Sequence, residues 1–409
     1  MSAVPVDNGR SSHHQKPVHG LDDELASELT RIEDAGLRRV LRPLASGSAA
    51  EVTIGGRSVL LLSSNNYLGL ADHPALVEAS CEAIRRWGCG TGASRLISGH
   101  LDLHAEVEAQ LAIFKGTEAA VLFPSGYQAN VGTIGALVGR GDHVFSDELN
   151  HASIIDGCRL SRASVHVYPH RDARALEAIL AAAPQGGRRL IITDSVFSMD
   201  GDRAPLRDLV ALARAYHTGV FLDEAHAAGV LGPRGAGLAE EVGVSAEVLV
   251  QMGTLGKALG GAGAYVAGSR ALIDLVANRA RSFIYTTGLA PGAVAAASAA
   301  LRLVAAEPER RARLLANAAR LRDGLAGLGL RAEGDTHIIP VVLGDNSRAM
   351  RFADALLDRG VLAHAIRPPT VPPGTARLRV TPMATHTDAQ IDRALDAFAA
   401  VARTTGVTA

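Results

Sequence analysis

Lysine is almost missing from this chain. Of its 41 basic residues only Lys16, Lys115 and Lys257 are lysines, and the remaining 38 are arginines. Cysteine is scarce too. Cys81, Cys89 and Cys158 have neither zinc-ligand spacing nor an even count, which argues against a disulfide framework and fits a reducing cytoplasm. Excess charge of one sign is also lacking. The formal net charge of −1 leaves no strong field for nucleic acid or an anionic membrane. No long apolar run is uninterrupted. The most apolar stretch, "PGAVAAASAALRLVAAEPERR", is alanine-rich and broken by Arg302, so it reads as a packed helix rather than a membrane span. The opening "MSAVPVDNGRSSHHQKPVHG" lacks the apolar segment of a signal peptide and is read as a disordered tail, residues 1–20. What remains is globular in composition, 47% hydrophobic over 409 residues, enough for one large core or two to three domains.

Where lysine is rare, each one calls for a reason. Lys16 lies in the polar tail. Lys115 ends a helical pattern just before Gly116, where a cation suits the helix C-terminus. Lys257 sits between glycines in "GTLGKALGG", where neither account applies. Arginine keeps its proton, whereas lysine can serve as an amine nucleophile.

Residues 21–71 read as an N-terminal helix (Leu21, Leu25, Leu29, Ile32, Leu37) and a hairpin with a Gly-Gly turn in "EVTIGGRSVLLLSSNNYLGL". From 72 to 290, strand candidates alternate with amphipathic helices: "AAVLF", "DHVFSD", "SVHVY", "RLIITD", "GVFLD", "VLVQM" and "AYVAG". That alternation predicts a large α/β domain with a mostly parallel, doubly covered sheet. Residues 291–409 read as a smaller C-terminal α+β domain. Ligands of open α/β sheets bind beyond the carboxyl ends of the strands. "SDELNHAS", "DSVFSMDGD", "DEAHAAG" and "GTLGKALGG" all fall there.

The Asp-Glu-Ala-His tetrapeptide raises a helicase-type ATPase. That reading fails on the phosphate loop. The sole Gly-Lys pair has Gln251 where glycine is required and Ala258 where serine or threonine is required, and it follows the acidic motif instead of preceding it. Pyridoxal phosphate (PLP) suits the same residues better. It needs an amine (Lys257), a carboxylate for its ring nitrogen (Asp223), and an aromatic or imidazole group on one face (His151). His226 can reach the ring hydroxyl. Gly126 and Tyr127, at a helix start, offer amides for the phosphate, and Ser198 and Thr254 offer hydroxyls. Plainer readings stay open: Ser198 as a turn former, His226 as a satisfied core histidine, Asp223 as a strand-end cap.

These motifs, with "GTGASRLISGH", "SGYQAN", "LNHASIIDG" and "AIRPPTVPPGTARLRV", resemble the α-oxoamine synthases, fold type I PLP-dependent transferases, over roughly residues 35–400. The last stretch favours the branch that builds a biotin precursor. The resemblance implies an aspartate-aminotransferase-like fold and a homodimer with the active site at its interface. It implies a decarboxylative condensation of L-alanine with a pimeloyl thioester on coenzyme A or acyl carrier protein, with no metal. A glycine-using relative is the alternative within the family, and a non-catalytic PLP binder the alternative outside it. By resemblance Lys257, His151 and Asp223 are catalytic, with His151 also facing substrate. Gly126, Tyr127, Ser198, His226 and Thr254 hold the cofactor, and Thr286 and Thr287 reach the partner subunit's phosphate. Arg38, Arg367 and Thr370 face substrate. Arg367, ahead of Pro368-Pro369, is expected to grip the amino acid's carboxylate. The family pattern is broken at Ala227-Ala228, where relatives often carry Gly or Ser and Thr.

Overall fold

The computed structural model describes residues 20–407, so the expected tail at 1–20 lies, but for Gly20, outside the described residues. Thirteen strands are present among them: β1 (Glu51–Ile54), β2 (Arg57–Leu61), β3 (Ala119–Phe123), β4 (His143–Asp147), β5 (Ser164–Tyr168), β6 (Arg189–Asp194), β7 (Gly219–Asp223), β8 (Val250–Thr254), β9 (Ala264–Gly268), β10 (Ile339–Gly344), β11 (Val361–Leu362), β12 (His364–Ile366) and β13 (Ala376–Val380).

The central sheet runs β3-β9-β8-β7-β6-β4-β5. Strands β4 to β8 are mutually parallel, while β9 runs antiparallel to both of its neighbours. Consecutive residues on these strands face opposite cores. Ile191 and Leu222 join one apolar cluster, and their chain neighbours Ile192 and Phe221 join another. Period-two burial on both faces is why these strands read as continuous apolar runs. The parallel strands end together, so the polar segments after β4, β6, β7 and β8 share one rim.

A second core contains Leu60, Leu62, Leu321, Phe352, Leu378 and Phe398. It is built on the antiparallel sheet β10-β13-β12 and on β1-β2-β11, under helices Glu309–Gly327, Asn346–Asp358 and Asp388–Thr405. The cores do not divide at residue 290/291. Helix Pro291–Ala306 packs against Pro74–Trp87 and Asp102–Lys115, and its Val294, Ala297 and Ala300 belong to the large core. Its small side chains let the helices approach closely. Conversely, β2 belongs with the small core, because Leu60 and Leu61 pair in parallel with Val361 and Leu362.

The Gly-Gly turn joins β1 to β2 as expected. Gly55 (φ 54) and Gly56 (φ 77) both take the left-handed region that a tight hairpin requires. The N-terminal helix is shorter than its apolar spacing suggests, Leu21–Asp34, and ends before Gly36 at φ 65. None of its residues is buried, and Leu21, Leu25 and Leu29 face outward. Among the described residues no helix is long and apolar enough to cross a membrane.

Candidate active site

The DEAH tetrapeptide divides its residues between two environments. Asp223 closes β7 and is buried at the rim. Its carboxylate accepts hydrogen bonds from Asn130 Nδ2 (2.8 Å) and Ala225 N (2.9 Å). Glu224 turns the other way. It accepts from the first amides of helix Leu238–Glu241, Leu238 N at 2.8 Å and Ala239 N at 3.0 Å, and faces Lys115 Nζ at 3.9 Å. Lys115 is therefore more than a helix-terminal charge. It is only 1% exposed, donates to the Ala236 carbonyl, and balances a buried carboxylate that would otherwise be costly. Of the two lysines described, Lys257 alone opens into a cavity.

That cavity has a volume of about 430 Å³ and is lined by Lys257, His226, His151, Ser198 and Arg379 among others. Burial brings the Lys257 amine down to about 8; Asp223 and Asp194 resist the shift and Arg379 adds to it. An amine with that pKa is substantially neutral at mildly alkaline pH, which an unperturbed lysine is not. His226 Nε2 lies 2.9 Å from Lys257 Nζ, and its Nδ1 lies 2.7 Å from Tyr67 Oη. Burial, then the charges of Lys257 and Arg379, hold His226 well below its ordinary pKa, so the ring is neutral.

His151 caps helix Ala152–Ser161 and presents its ring to the cavity. Its tautomer follows from its neighbours. Nδ1 accepts from Ser153 N (3.2 Å) and pairs with Ser153 Oγ (2.7 Å), which itself accepts from Asn130 Nδ2 at 2.8 Å. The Ser153 hydroxyl proton is thus directed at Nδ1, and the histidine carries its hydrogen on Nε2. Burial lowers the pKa of His151, opposed by Asp223 and aided by the Lys257 charge. Asn130 ties this histidine to Asp223. Asp194, at the end of β6, accepts from the His151 backbone N–H at 2.8 Å; burial and the neighbouring Asp223 raise its pKa.

The phosphate side is a helix start. Ser125 caps helix Gly126–Leu137, and the first-turn amides of Gly126 and Tyr127 have no intrahelical acceptor. Glycine at 126 lets the helix start lie close to Thr254, since a Cβ there would meet Thr254 Cγ2 at 2.7 Å and force one of the two to shift. Thr254 Oγ1 donates to the Ala225 carbonyl at 3.3 Å. Thr286 approaches the same helix, accepting from Gln128 Nε2 at 3.5 Å, and Thr287 bridges to Ser94. The Tyr127 side chain points outward to Asp156. A free amine, a buried carboxylate, an imidazole face and unsatisfied amides over a glycine cradle form a donor set that fits PLP.

Arg38, Arg367 and Thr370 lie elsewhere. They line a second cavity, of about 630 Å³, which shares the walls Leu362, His364 and Ile366 with the first. Arg38 pairs with Glu33 at 2.6 Å, and Arg367 donates to the Gly36 carbonyl. The arginine in the Lys257 cavity is Arg379 of β13, 7% exposed, which donates to the Ser198 carbonyl (2.5 Å) and to Tyr67 Oη (3.0 Å). The carboxylate grip beside Lys257 was expected of Arg367, but it is Arg379 that lines the Lys257 cavity, while Arg367 lines the adjoining one. Sequence reasoning passed over Arg379, Tyr67, Asn130 and Asp194. Arg379 becomes legible only with its burial: "ARLRV" carries two arginines on a strand that proves buried at every position. Ala227 and Ala228 are both buried, and Ala227 packs in the large core, so the departure there is apolar packing.

The aminotransferase class I and II family model matches residues 57–398. An 8-amino-7-oxononanoate synthase from Geobacter sulfurreducens is 54% identical over 387 residues, covering 94% of this chain and 99% of that protein. A serine palmitoyltransferase variant from S. paucimobilis, solved with a bound PLP–myriocin aldimine, superposes with a TM-score of 0.89 at 34% identity, covering 96% of this chain and 100% of that one. An 8-amino-7-oxononanoate synthase from Francisella tularensis superposes with a TM-score of 0.74 at 28% identity, covering 85% and 99%.

Proposed function

The chain belongs to the aminotransferase class I and II family, in its α-oxoamine synthase branch, and on that premise we propose that it condenses L-alanine with a pimeloyl thioester to give 8-amino-7-oxononanoate, a biotin precursor. The reaction releases carbon dioxide and the thiol, and takes place in the cytoplasm on a homodimer. The observation that carries this reading is the meeting of Lys257, His226, His151 and Arg379 in one cavity above a buried Asp223. Near-full-length identity of 54% to an 8-amino-7-oxononanoate synthase, against 34% to the serine palmitoyltransferase, supports a pimeloyl donor and alanine.

PLP, when bound, supplies an aldehyde for the amino group and an electron sink for the charge that develops on Cα. Lys257 would hold the cofactor through its amine, and that amine, with a pKa of about 8, is suited to take the Cα proton as general base. Asp223, fixed by Asn130 and the Ala225 amide, is the carboxylate that would keep a proton on the ring nitrogen. Arg379 is the cation placed to grip the alanine carboxylate and orient the bond to be broken. His151, with its hydrogen on Nε2, offers a donor to the developing oxyanion and a proton source during decarboxylation. The amides of Gly126 and Tyr127 would hold the phosphate, and Thr286 and Thr287 would serve the partner subunit's phosphate. Arg38, Arg367 and Thr370, in the adjoining cavity, are assigned to the far end of the acyl chain.

Thiol release should be measured with purified protein and PLP across alanine, glycine and serine, each with pimeloyl-CoA, pimeloyl-acyl carrier protein, acetyl-CoA and palmitoyl-CoA. The pimeloyl donors with alanine should dominate, and mass spectrometry should find 8-amino-7-oxononanoate. Preference for glycine with acetyl-CoA would move the protein to its glycine-using relatives.

A further inference from the structure

The buried tyrosine of "NNYLGL" has no role in the reaction described above, yet it links the two basic groups of the cavity, Arg379 and Lys257. Tyr67 is 0% exposed and sits edge-on to His337, with ring centroids 4.1 Å apart. Its hydroxyl has three polar neighbours: Asn65 Oδ1 at 3.0 Å, His226 Nδ1 at 2.7 Å and Arg379 Nη2 at 3.0 Å. Beyond His226 lies the Lys257 amine, 2.9 Å from Nε2. An unbroken chain of hydrogen bonds therefore runs from Arg379 through Tyr67 and His226 to Lys257.

With Asn65 presenting Oδ1 rather than Nδ2 to the phenol, counting hydrogens gives the direction of the chain. Burial keeps the Tyr67 phenol protonated, so it has one hydrogen to give and two lone pairs to fill. Arg379 can only donate and fills one of them. Asn65 Oδ1 can only accept. If the phenol hydrogen went to His226, two oxygens 3.0 Å apart would face each other without a hydrogen between them. The arrangement that satisfies every atom sends the phenol hydrogen to Asn65 and leaves the second lone pair for an N–H on His226 Nδ1. His226 Nε2 is then bare and accepts from the Lys257 amine.

We propose that Tyr67 is a positioning residue which selects the Nδ1–H tautomer of His226, so that His226 receives a hydrogen from Lys257 and leaves the amine's lone pair free toward the cavity. The two histidines of the site are then opposite tautomers: His151 carries its hydrogen on Nε2, His226 on Nδ1. With the other tautomer, His226 Nε2–H would point at Lys257 and occupy the lone pair that the amine uses as a nucleophile. This role rests on Lys257 being the reacting amine, but its main test does not depend on turnover.

The test is nitrogen-15 NMR of imidazole-labelled protein freed of cofactor, where protonated and bare ring nitrogens resolve. Wild type should show His226, assigned by loss of its signals in His226→Gln, with its hydrogen on Nδ1. Tyr67→Phe should move it to Nε2. Because Tyr67→Phe also removes a buried hydroxyl, Asn65→Leu is the sharper variant. It leaves the tyrosine ring in place, frees its hydrogen for His226 Nδ1, and should produce the same switch, while Asn65→Asp, which can only accept, should retain the wild-type tautomer. Labelling of Lys257 by an amine-reactive reagent, followed by peptide mapping, should slow about tenfold in Tyr67→Phe and Asn65→Leu, the effect of one orienting hydrogen bond. A wild-type His226 bearing its hydrogen on Nε2, or an unchanged tautomer in both variants, overturns the proposal. If thiol release fails with every donor while the tautomer switches as stated, the assigned reaction falls and the role of Tyr67 stands.

Discussion

The two adjoining cavities are built in different ways. Around Lys257 the groups stand on strand ends or in short rigid loops, are mostly buried, and are held by protein partners before any ligand arrives. Asp223 has two donors, His151 is locked by Ser153, and Arg379 is pinned by Ser198 and Tyr67. Around Arg38 and Arg367 the groups come from the irregular segment 37–44 and the loop 367–370, and the guanidiniums make exposed contacts with Glu33 and Gly36. Val40 and Leu41, on the same wall, are 81% and 97% exposed. Preorganised charge in a dry setting is what lowers a barrier, whereas exposed charge attracts and selects. The first cavity is therefore expected to govern kcat and amino-acid binding, and the second the acyl donor.

The most severe break in that division is Lys257→Arg. The charge stays, but a guanidinium neither captures an aldehyde nor cycles a proton, so thiol release should fall by at least about a thousandfold, or ~4 kcal/mol. Circular dichroism should show an unchanged fold. Next is Asp223→Asn, which keeps the loop shape and removes the charge opposite the ring nitrogen. We expect a loss in kcat of about a hundredfold or more, ~2.7 kcal/mol, with cofactor still bound by absorbance.

The contrast itself is tested by two arginines of equal charge. Arg379→Ala should raise the alanine KM by about 30- to 150-fold, equivalent to ~2–3 kcal/mol for a buried charge-assisted contact. Arg367→Ala should leave the alanine KM within about threefold and raise that of the acyl donor instead. Steady-state kinetics with either substrate varied reads both. A reversal would return the carboxylate grip to Arg367 and undo the division.

The smallest effect is on stability and lies outside both cavities. His170 bridges Asp147 Oδ1 (2.9 Å) and Asp202 Oδ2 (3.0 Å) and packs edge-on to Phe197, next to Ser198. Burial works against its charge, but the two carboxylates win and raise it to about 9. A folded pKa above the unfolded value means the ion pairs contribute fully below about pH 6.5 and fade as pH rises through about 9. Urea unfolding should therefore show the wild type losing up to about 2 kcal/mol over that window relative to His170→Gln, after allowance for partial exposure. Parallel curves for the two proteins would remove the bridge from the account.

Much of this was legible in the sequence, and the exceptions have physical causes. The inner strands of the central sheet announce themselves as short apolar runs because both of their faces are covered, whereas the edge strand β5 is largely exposed and reads instead from the alternating valines of "SVHVY". The reversed direction of β9 leaves no such mark, since "AYVAG" reads alike either way. β11 and β12 have two and three residues, too few for any periodicity. Lys257 stood out by rarity and by its glycines. Arg379 did not, because one arginine among 38 gives no signal until its burial is known. Tyr67 could be quoted within a motif but not placed, since its partners lie 159 and 312 residues away.

The parallel pairing of β2 with β11 has a further bearing, on how the chain is made. Leu60 and Leu61 leave the ribosome about 300 residues before Val361 and Leu362, their partners. Until then the second strand of the protein has an open edge and half a core. The helices and strands between can form the large sheet as they emerge, but the small core cannot close behind the growing end. Because Leu61, Ser63 and Leu362 are also walls of the Lys257 cavity, that cavity is completed only when synthesis is nearly over. Assembly of the reactive amine's surroundings is thereby a late event in the biogenesis of the chain.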